Sequence, residues 1–219
     1  MKLSWLHRTG DGRRVLLFFN GWSMDDTLFE GWETSGVDVL TVCDYTRLEP
    51  LPELAGYEEL HLAAWSLGVR VAAELLENMP YRFETATAFN GTLRPVDAEF
   101  GIDPAIFAGT AEHWGDERAR ERFYRRLVGS APFRQPRRTP ESQQEELVSL
   151  QKHIESSPVP VNPFRRAWIS GRDRIIPAAA QRKFWAGESV VVTEKPDAPH
   201  FPFGEIHSFE EIIDAGRDR

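Results

Sequence analysis

A serine, an aspartate and a histidine stand in that order along the chain, each in a setting that suits nucleophilic catalysis. Ser66 lies in Ala64-Trp65-Ser66-Leu67-Gly68, between a run that reads as a strand and one that reads as a helix. A tight strand-to-helix turn of the G-x-S-x-G kind strains the serine backbone and lifts its hydroxyl clear of the sheet, and small flanking residues permit the close packing this needs. Ala64 stands in for the first glycine. Taken alone, the motif also reads as a serine capping a helix. Asp173, in Gly171-Arg172-Asp173-Arg174-Ile175-Ile176-Pro177, follows a late strand. A carboxylate there can orient an imidazole and stabilise its charged form, or simply pair with Arg172 or Arg174 on the surface. His200, in Pro199-His200-Phe201-Pro202-Phe203, sits on a loop after the last strand, a place that core packing explains poorly. It can take the proton of Ser66 and pass it to a leaving group. His207 is its rival but falls just before the final helix, and His7, His61, His113 and His153 have no comparable setting. Phe18-Phe19-Asn20-Gly21-Trp22 directly follows a strand of the buried kind. Such a loop supplies one backbone N–H to a developing oxyanion, and the residue after the nucleophile supplies the other; here these are Trp22 and Leu67. Asn20-Gly21 by itself also reads as a plain turn.

The elements that must hold these residues follow from the hydrophobic pattern. Short β-rich runs alternate with helical patterns, the signature of an α/β sheet. Leu3 to His7 reads as an edge strand, with a hairpin-type turn signal at Asp11-Gly12. Val15 to Phe19 is continuously apolar, as expected of a central strand buried on both faces. Val37 to Val42, Leu60 to Ala64, Thr85 to Phe89, Ala167 to Ser170 and Val190 to Thr193 complete the predicted strands. Val69, Ala72, Ala73 and Leu76 recur at helical spacing from Gly68 to Asn78, before Pro80. Ser208 is placed to cap a final helix. Between about Pro95 and Pro160 the alternation breaks. Thr139-Pro140-Glu141 reads as a helix start, and Leu147, Leu150 and Ile154 form its apolar stripe. The expectation is one domain over residues 1–219, with a helical lid insertion at about 95–160. Ser66, Asp173 and His200 then each follow a predicted strand, in the order of the α/β-hydrolase fold.

Composition narrows the function. A net charge of −8 over 219 residues argues against general nucleic-acid binding. The lone cysteine, Cys43, forms no internal disulfide and reads as a small strand residue. Met1 to His7 lacks a signal-peptide core, and no run reaches about 18 apolar residues, so the expectation is a cytoplasmic protein off the membrane. No Cys/His pattern asks for a metal.

Together these segments resemble the BioG type of pimeloyl-[acyl-carrier protein] methyl ester esterase, across nearly the whole chain. The resemblance rests on Phe18-Phe19-Asn20-Gly21-Trp22, Ala64-Trp65-Ser66-Leu67-Gly68, Phe89-Asn90-Gly91-Thr92-Leu93, Gly101-Ile102-Asp103 and Asp197-Ala198-Pro199-His200-Phe201-Pro202-Phe203. It implies the α/β-hydrolase fold, a Ser-Asp-His triad, no metal or organic cofactor, and a place in biotin synthesis. The implied reaction converts the methyl ester of pimeloyl-carrier protein and water to pimeloyl-carrier protein and methanol. The insertion fits such a partner. Arg118, Arg122, Arg125 and Arg126 share one helical face at i, i+4, i+7 and i+8, beside Ala119, Phe123 and Leu127, and Arg134, Arg137 and Arg138 follow. A basic patch on an acidic protein suits an acidic carrier protein, although local ion pairs with Glu117 and Glu121 are the competing reading. Two other functions remain: a small-molecule esterase or thioesterase of the same fold, and a hydrolase-like binding protein without catalysis.

Overall fold

A computed structural model of the chain describes residues 1–10, 12–32 and 36–217. Its strands are β1 (Lys2–His7), β2 (Arg14–Phe19), β3 (Asp38–Cys43), β4 (Glu59–Trp65), β5 (Thr85–Phe89), β6 (Arg166–Ser170) and β7 (Val191–Lys195). They form one seven-stranded sheet in the order β1-β3-β2-β4-β5-β6-β7. Only β1 runs antiparallel to its neighbour; the other pairs are parallel. The chain steps to one side from β2 to β3 and to the other from β4 to β5, so the loops after β2 and β4 part at a topological switch point. Ligand crevices of open α/β sheets form at such places.

Apolar content explains the layering. Val15 to Phe19 in β2 are fully buried, as are Val39 and Val42 in β3. A strand with no exposed face needs cover on both sides, and helices provide it. These are α1 (Gly68–Leu76), α2 (Pro104–Glu112), α3 (Glu117–Val128), α4 (Pro140–Ser156), α5 (Ala178–Trp185) and α6 (Phe209–Asp214). Val69, Ala72 and Ala73 bury the inner face of α1. Phe209, Ile212 and Ile213 do the same for α6, where Ser208 caps the helix by accepting from the Glu211 N–H. Thr139 caps α4 in the same way, with Pro140 at its first turn, and buries Leu147 and Leu150. Between β5 and β6 the chain forms α2, α3 and α4 and no named strand among the described residues. Among the described residues no helix is long and apolar enough to cross a membrane.

The hairpin suggested by Asp11-Gly12 does not form, because β3 lies between β1 and β2. Asp11 itself lies outside the described residues; Gly12 has a φ of 70°, which a left-handed turn needs. Cys43 ends β3 fully buried, and burial pushes its thiol up to about 12, as expected of an inert packing residue.

His61, in mid-β4, is 1% exposed and meets the Thr85 hydroxyl of β5 at 3.0 Å. Burial, helped by Arg14 and opposed by Glu59, lowers its pKa from 6.5 to about 4. The unfolded chain therefore binds a proton that the folded one refuses. The stability tied to this group is present above pH ~6.5 and is lost as pH falls towards ~4, in total about 3 kcal/mol. His61→Gln is expected to flatten the urea-unfolding stability across that window. An identical slope in wild type and variant would remove His61 from the account.

Candidate active site

The site begins with a backbone constraint. β4 ends at Trp65, and the chain turns into α1 within two residues, with Ser66 at φ 57°. A left-handed non-glycine residue persists only where its surroundings hold it. Here three segments converge. A Cβ at position 68 would lie 2.3 Å from the Asn20 carbonyl oxygen, and one at position 91 would lie 2.5 Å from that of Ser66. Glycine at both positions lets the loops after β2 and β5 close on the serine turn. The Ser66 N–H donates to the Phe89 carbonyl at 2.9 Å.

The structure brings Ser66, His200 and Asp173 into one line. His200 Nε2 is 2.8 Å from Ser66 Oγ, and its Nδ1 is 2.6 Å from Asp173 Oδ2. Of the three, Ser66 is 6%, Asp173 8% and His200 0% exposed, so little water competes for these bonds. Ser66 does not cap α1; its hydroxyl is committed to His200. Asp173 does not pair with either flanking arginine. Its Oδ1 accepts from the Ile175 and Ile176 N–H groups, and its Oδ2 accepts from Gln181 Nε2 as well as meeting His200. Arg172 pairs with Asp197 instead. His207 is exposed at the start of α6, where its backbone N–H donates to Glu211.

Trp22 and Leu67 line the same cavity as Ser66. Neither backbone N–H donates to another described residue. The cavity is roofed by Ile106, Phe107 and Thr110 of α2, Phe123 and Leu127 of α3, and Leu147 of α4. Arg126 and Arg174 stand at its rim.

The basic residues of the insertion divide into two groups. Arg134 and Arg137 pair with Glu30, and Arg138 pairs with Asp44 and Glu146. Arg118, Arg122, Arg125 and Arg126 are exposed on α3, and their side chains form no ion pair with a described residue, Glu117 and Glu121 included. Glu146 is fully buried; burial pushes its carboxyl up to about 6, against the pull of Arg138.

Two residues that support the site are given no part in it by the sequence reading. Gln181 holds Asp173, yet nothing in its local pattern marks it. Asn90, at φ 48°, accepts from the Ser170 N–H and donates through Nδ2 to Ser170 Oγ and to the His200 carbonyl. The donor Ser170 N–H fixes which way the amide faces. The same His200 carbonyl accepts from the Trp65 indole at 3.0 Å. Asn90-Gly91 after an apolar strand signals the turn, but not the reach across 110 residues to the histidine loop.

Comparison with known proteins gives a consistent picture. The sequence matches the family model described as "Pimeloyl-ACP methyl esterase BioG" over residues 1–212. The crystal structure of BioG from Haemophilus influenzae superposes with a TM-score of 0.85 at 31% identity, covering 98% of this chain and 100% of that one. MGS-M2, an α/β hydrolase from a Medee basin deep-sea metagenome, superposes with a TM-score of 0.66 at 11% identity, covering 100% and 94% of the two chains, and so shares the fold. A malonyl-[acyl-carrier protein] O-methyltransferase of Bacteroides fragilis is 33% identical over 180 residues, 79% of this chain. The match spans only 36% of that relative.

Asn90→Ala strips partners from buried groups of Ser170 and from the His200 carbonyl, at about 1–3 kcal/mol for a group left unsatisfied. The variant is expected to unfold at lower urea and to react more slowly with a fluorophosphonate. Unchanged stability and unchanged labelling would show that Asn90 does not hold the histidine loop.

Proposed function

This chain belongs to the BioG family of pimeloyl-ACP methyl esterases, and from that premise we propose that it hydrolyses the methyl ester of a pimeloyl group borne by acyl-carrier protein, through an acyl-enzyme on Ser66. The observation that carries the reading is the unbroken hydrogen-bond line from Asp173 through His200 to Ser66, in a cavity also lined by Trp22 and Leu67, whose N–H groups donate to no described residue. Ser66 Oγ attacks the ester carbonyl as His200 Nε2 takes its proton. The charge that develops on the carbonyl oxygen falls to the Trp22 and Leu67 N–H groups. The tetrahedral species expels methoxide, which leaves as methanol with the proton from His200. Water, deprotonated by the same imidazole, then attacks the acyl-enzyme; the acid is released and Ser66 regains its proton. Asp173 orients the ring, itself held by two N–H groups and Gln181.

In this reading residues 1–219 are one hydrolase domain, and α2, α3 and α4 act as its lid. The apolar roof over Ser66 suits a methylene chain, which leads outward from the ester towards the carrier. The thioester at the far end of the chain then lies away from the nucleophile and survives. Arg118, Arg122, Arg125 and Arg126, which form no ion pair with a described residue, make the docking face for an acidic carrier protein, and Arg126 links that face to the cavity rim. The Bacteroides fragilis relative supports the substrate chemistry, since a carrier-protein O-methyltransferase makes the kind of ester that this reaction removes.

Ser66→Ala and His200→Ala are expected to lower turnover of methyl pimeloyl-carrier protein on the order of 10⁴-fold or more, read by mass spectrometry. His207→Ala should remain near wild type. Near-normal turnover by Ser66→Ala, or a larger loss at His207 than at His200, would overturn the assignment.

Reversing Arg118 and Arg122 to Glu should lower kcat/KM for the carrier-bound ester by roughly tenfold at low salt, well beyond any loss on a p-nitrophenyl ester. The gap should narrow as ionic strength rises, because the Debye length contracts to about 8 Å at physiological salt. Equal losses on both substrates would assign these arginines a structural part and leave the carrier to dock elsewhere.

A further inference from the structure

The loop that carries the Trp22 N–H is not held by the sheet alone. Ser23, the next residue, is fully buried and left-handed at φ 70°. Its N–H donates to Glu146 Oε2 at 3.2 Å, and its carbonyl accepts from Gln143 Nε2 at 3.1 Å. Both side chains come from α4, spaced i and i+3 on one face. The Trp22 indole donates to the Gln143 backbone carbonyl at 2.7 Å. Its ring packs on Trp114 and Phe123, with centroids 4.4 and 5.2 Å apart.

Each clamp residue is itself fixed. Gln143 Nε2 also donates to the Tyr124 hydroxyl, and its Oε1 accepts from the Trp114 indole. Glu146 Oε1 accepts from the Tyr45 N–H, and Arg138 donates to Oε2. Tyr45 closes the circuit by donating its hydroxyl to the Asn20 carbonyl at 2.7 Å. Gln143 and Glu146 are 3% and 0% exposed. A buried carboxylate is a poor choice for stability alone, because well-packed apolar residues often serve as well or better. Its directional acceptors, however, fix two backbone N–H groups in two different loops.

We propose that Gln143 and Glu146 are positioning residues for the oxyanion donor: from one face of α4 they grip both backbone polar groups of Ser23 and so set where the Trp22 N–H points. The proposal rests on the serine-esterase reading above, with Trp22 as a donor. Neither side chain lines the cavity that holds Ser66. Both act through Trp22 and Ser23, and they make α4 part of the hole as well as part of the roof.

The test uses the full chain with Glu146→Gln and, separately, Gln143→Met. Glu146→Gln leaves one acceptor oxygen where two N–H groups are now served. Gln143→Met keeps the volume and leaves the Arg138–Glu146 pair untouched, which supplies a second route should the first variant fail to fold. Active sites are counted by fluorophosphonate titration. For each variant, kcat per active site and KM are measured on a p-nitrophenyl ester, together with Kd for a trifluoromethyl ketone, whose serine adduct places an anionic oxygen in the hole.

The expected result is a roughly 10- to 100-fold fall in kcat per titrated site. KM should stay within about twofold, and the ketone should weaken by the same factor as kcat. A purely structural role would lower Tm and the number of titratable sites while leaving kcat per site and ketone affinity at wild-type values; that outcome overturns the proposal. A wild-type protein in which neither reagent modifies Ser66 would overturn the serine reading itself, and the proposal with it. Wild-type labelling at Ser66 with unaltered variants would overturn the positioning role alone.

Discussion

Six parallel strands end on the side where the site lies, and four of them leave through a non-glycine residue in the left-handed region: Ser23 beyond β2, Asp44 after β3, Ser66 after β4 and Asn90 after β5. The close approach of the loops around Ser66 depends on these tight exits coexisting. A strand that ended gradually would carry its successor away from the crevice, whereas a left-handed residue reverses the chain within one position. The conformations are costly for side chains with a Cβ. They persist because each exit is tied to another. The Ser66 N–H binds the carbonyl of Phe89, Asn90 reaches the histidine loop, and Glu146 joins the exits of β2 and β3. Gly68 and Gly91 supply the absence of side chains that lets three backbones meet.

What the sequence reveals of this arrangement follows the range of the physics. Strands announce themselves through local apolar runs, and Val15 to Phe19 or Thr85 to Phe89 coincide closely with β2 and β5. The meeting of Ser66 and His200 can be anticipated because each short motif pairs a residue type suited to catalysis with a turn. Strand order is another matter. Nothing near Asp11-Gly12 tells that β3 slips between the first two strands, since pairing there is decided by burial across the whole sheet. The helix α5 lacks a clean apolar stripe; Ala178, Ala180 and Gln181 are buried with Phe184 and Trp185. Gln181 is invisible for the same reason, because a buried glutamine earns its place through a partner and not through a pattern.

The arginines illustrate the same division. Spacing on a helix identifies a shared face, so Arg118, Arg122, Arg125 and Arg126 can be grouped from sequence. Spacing cannot tell that Arg134 meets Glu30, 104 residues earlier, or that Arg138 closes on Glu146. The structure separates a basic stretch into cations that hold the molecule together and cations whose side chains find no acidic partner among the described residues. In a chain of net charge −8, leaving such groups exposed on one helix concentrates positive potential where the rest of the surface is negative on balance.

The histidine loop has a consequence for how the molecule comes into being. Its position is set by the Trp65 indole, by Asn90 and by the Leu127 carbonyl, which accepts from the Phe201 N–H at 3.0 Å. These contacts join segments 135, 110 and 74 residues apart. Non-local closures are slow to form, because the entropy of joining distant segments is spent before the contacts repay it. On the ribosome, the strands around Ser66 emerge long before residue 200 does. A nascent chain can therefore complete much of the sheet around Ser66 before His200, its hydrogen-bond partner, has emerged, so the line from Asp173 to Ser66 closes only after those strands are in place.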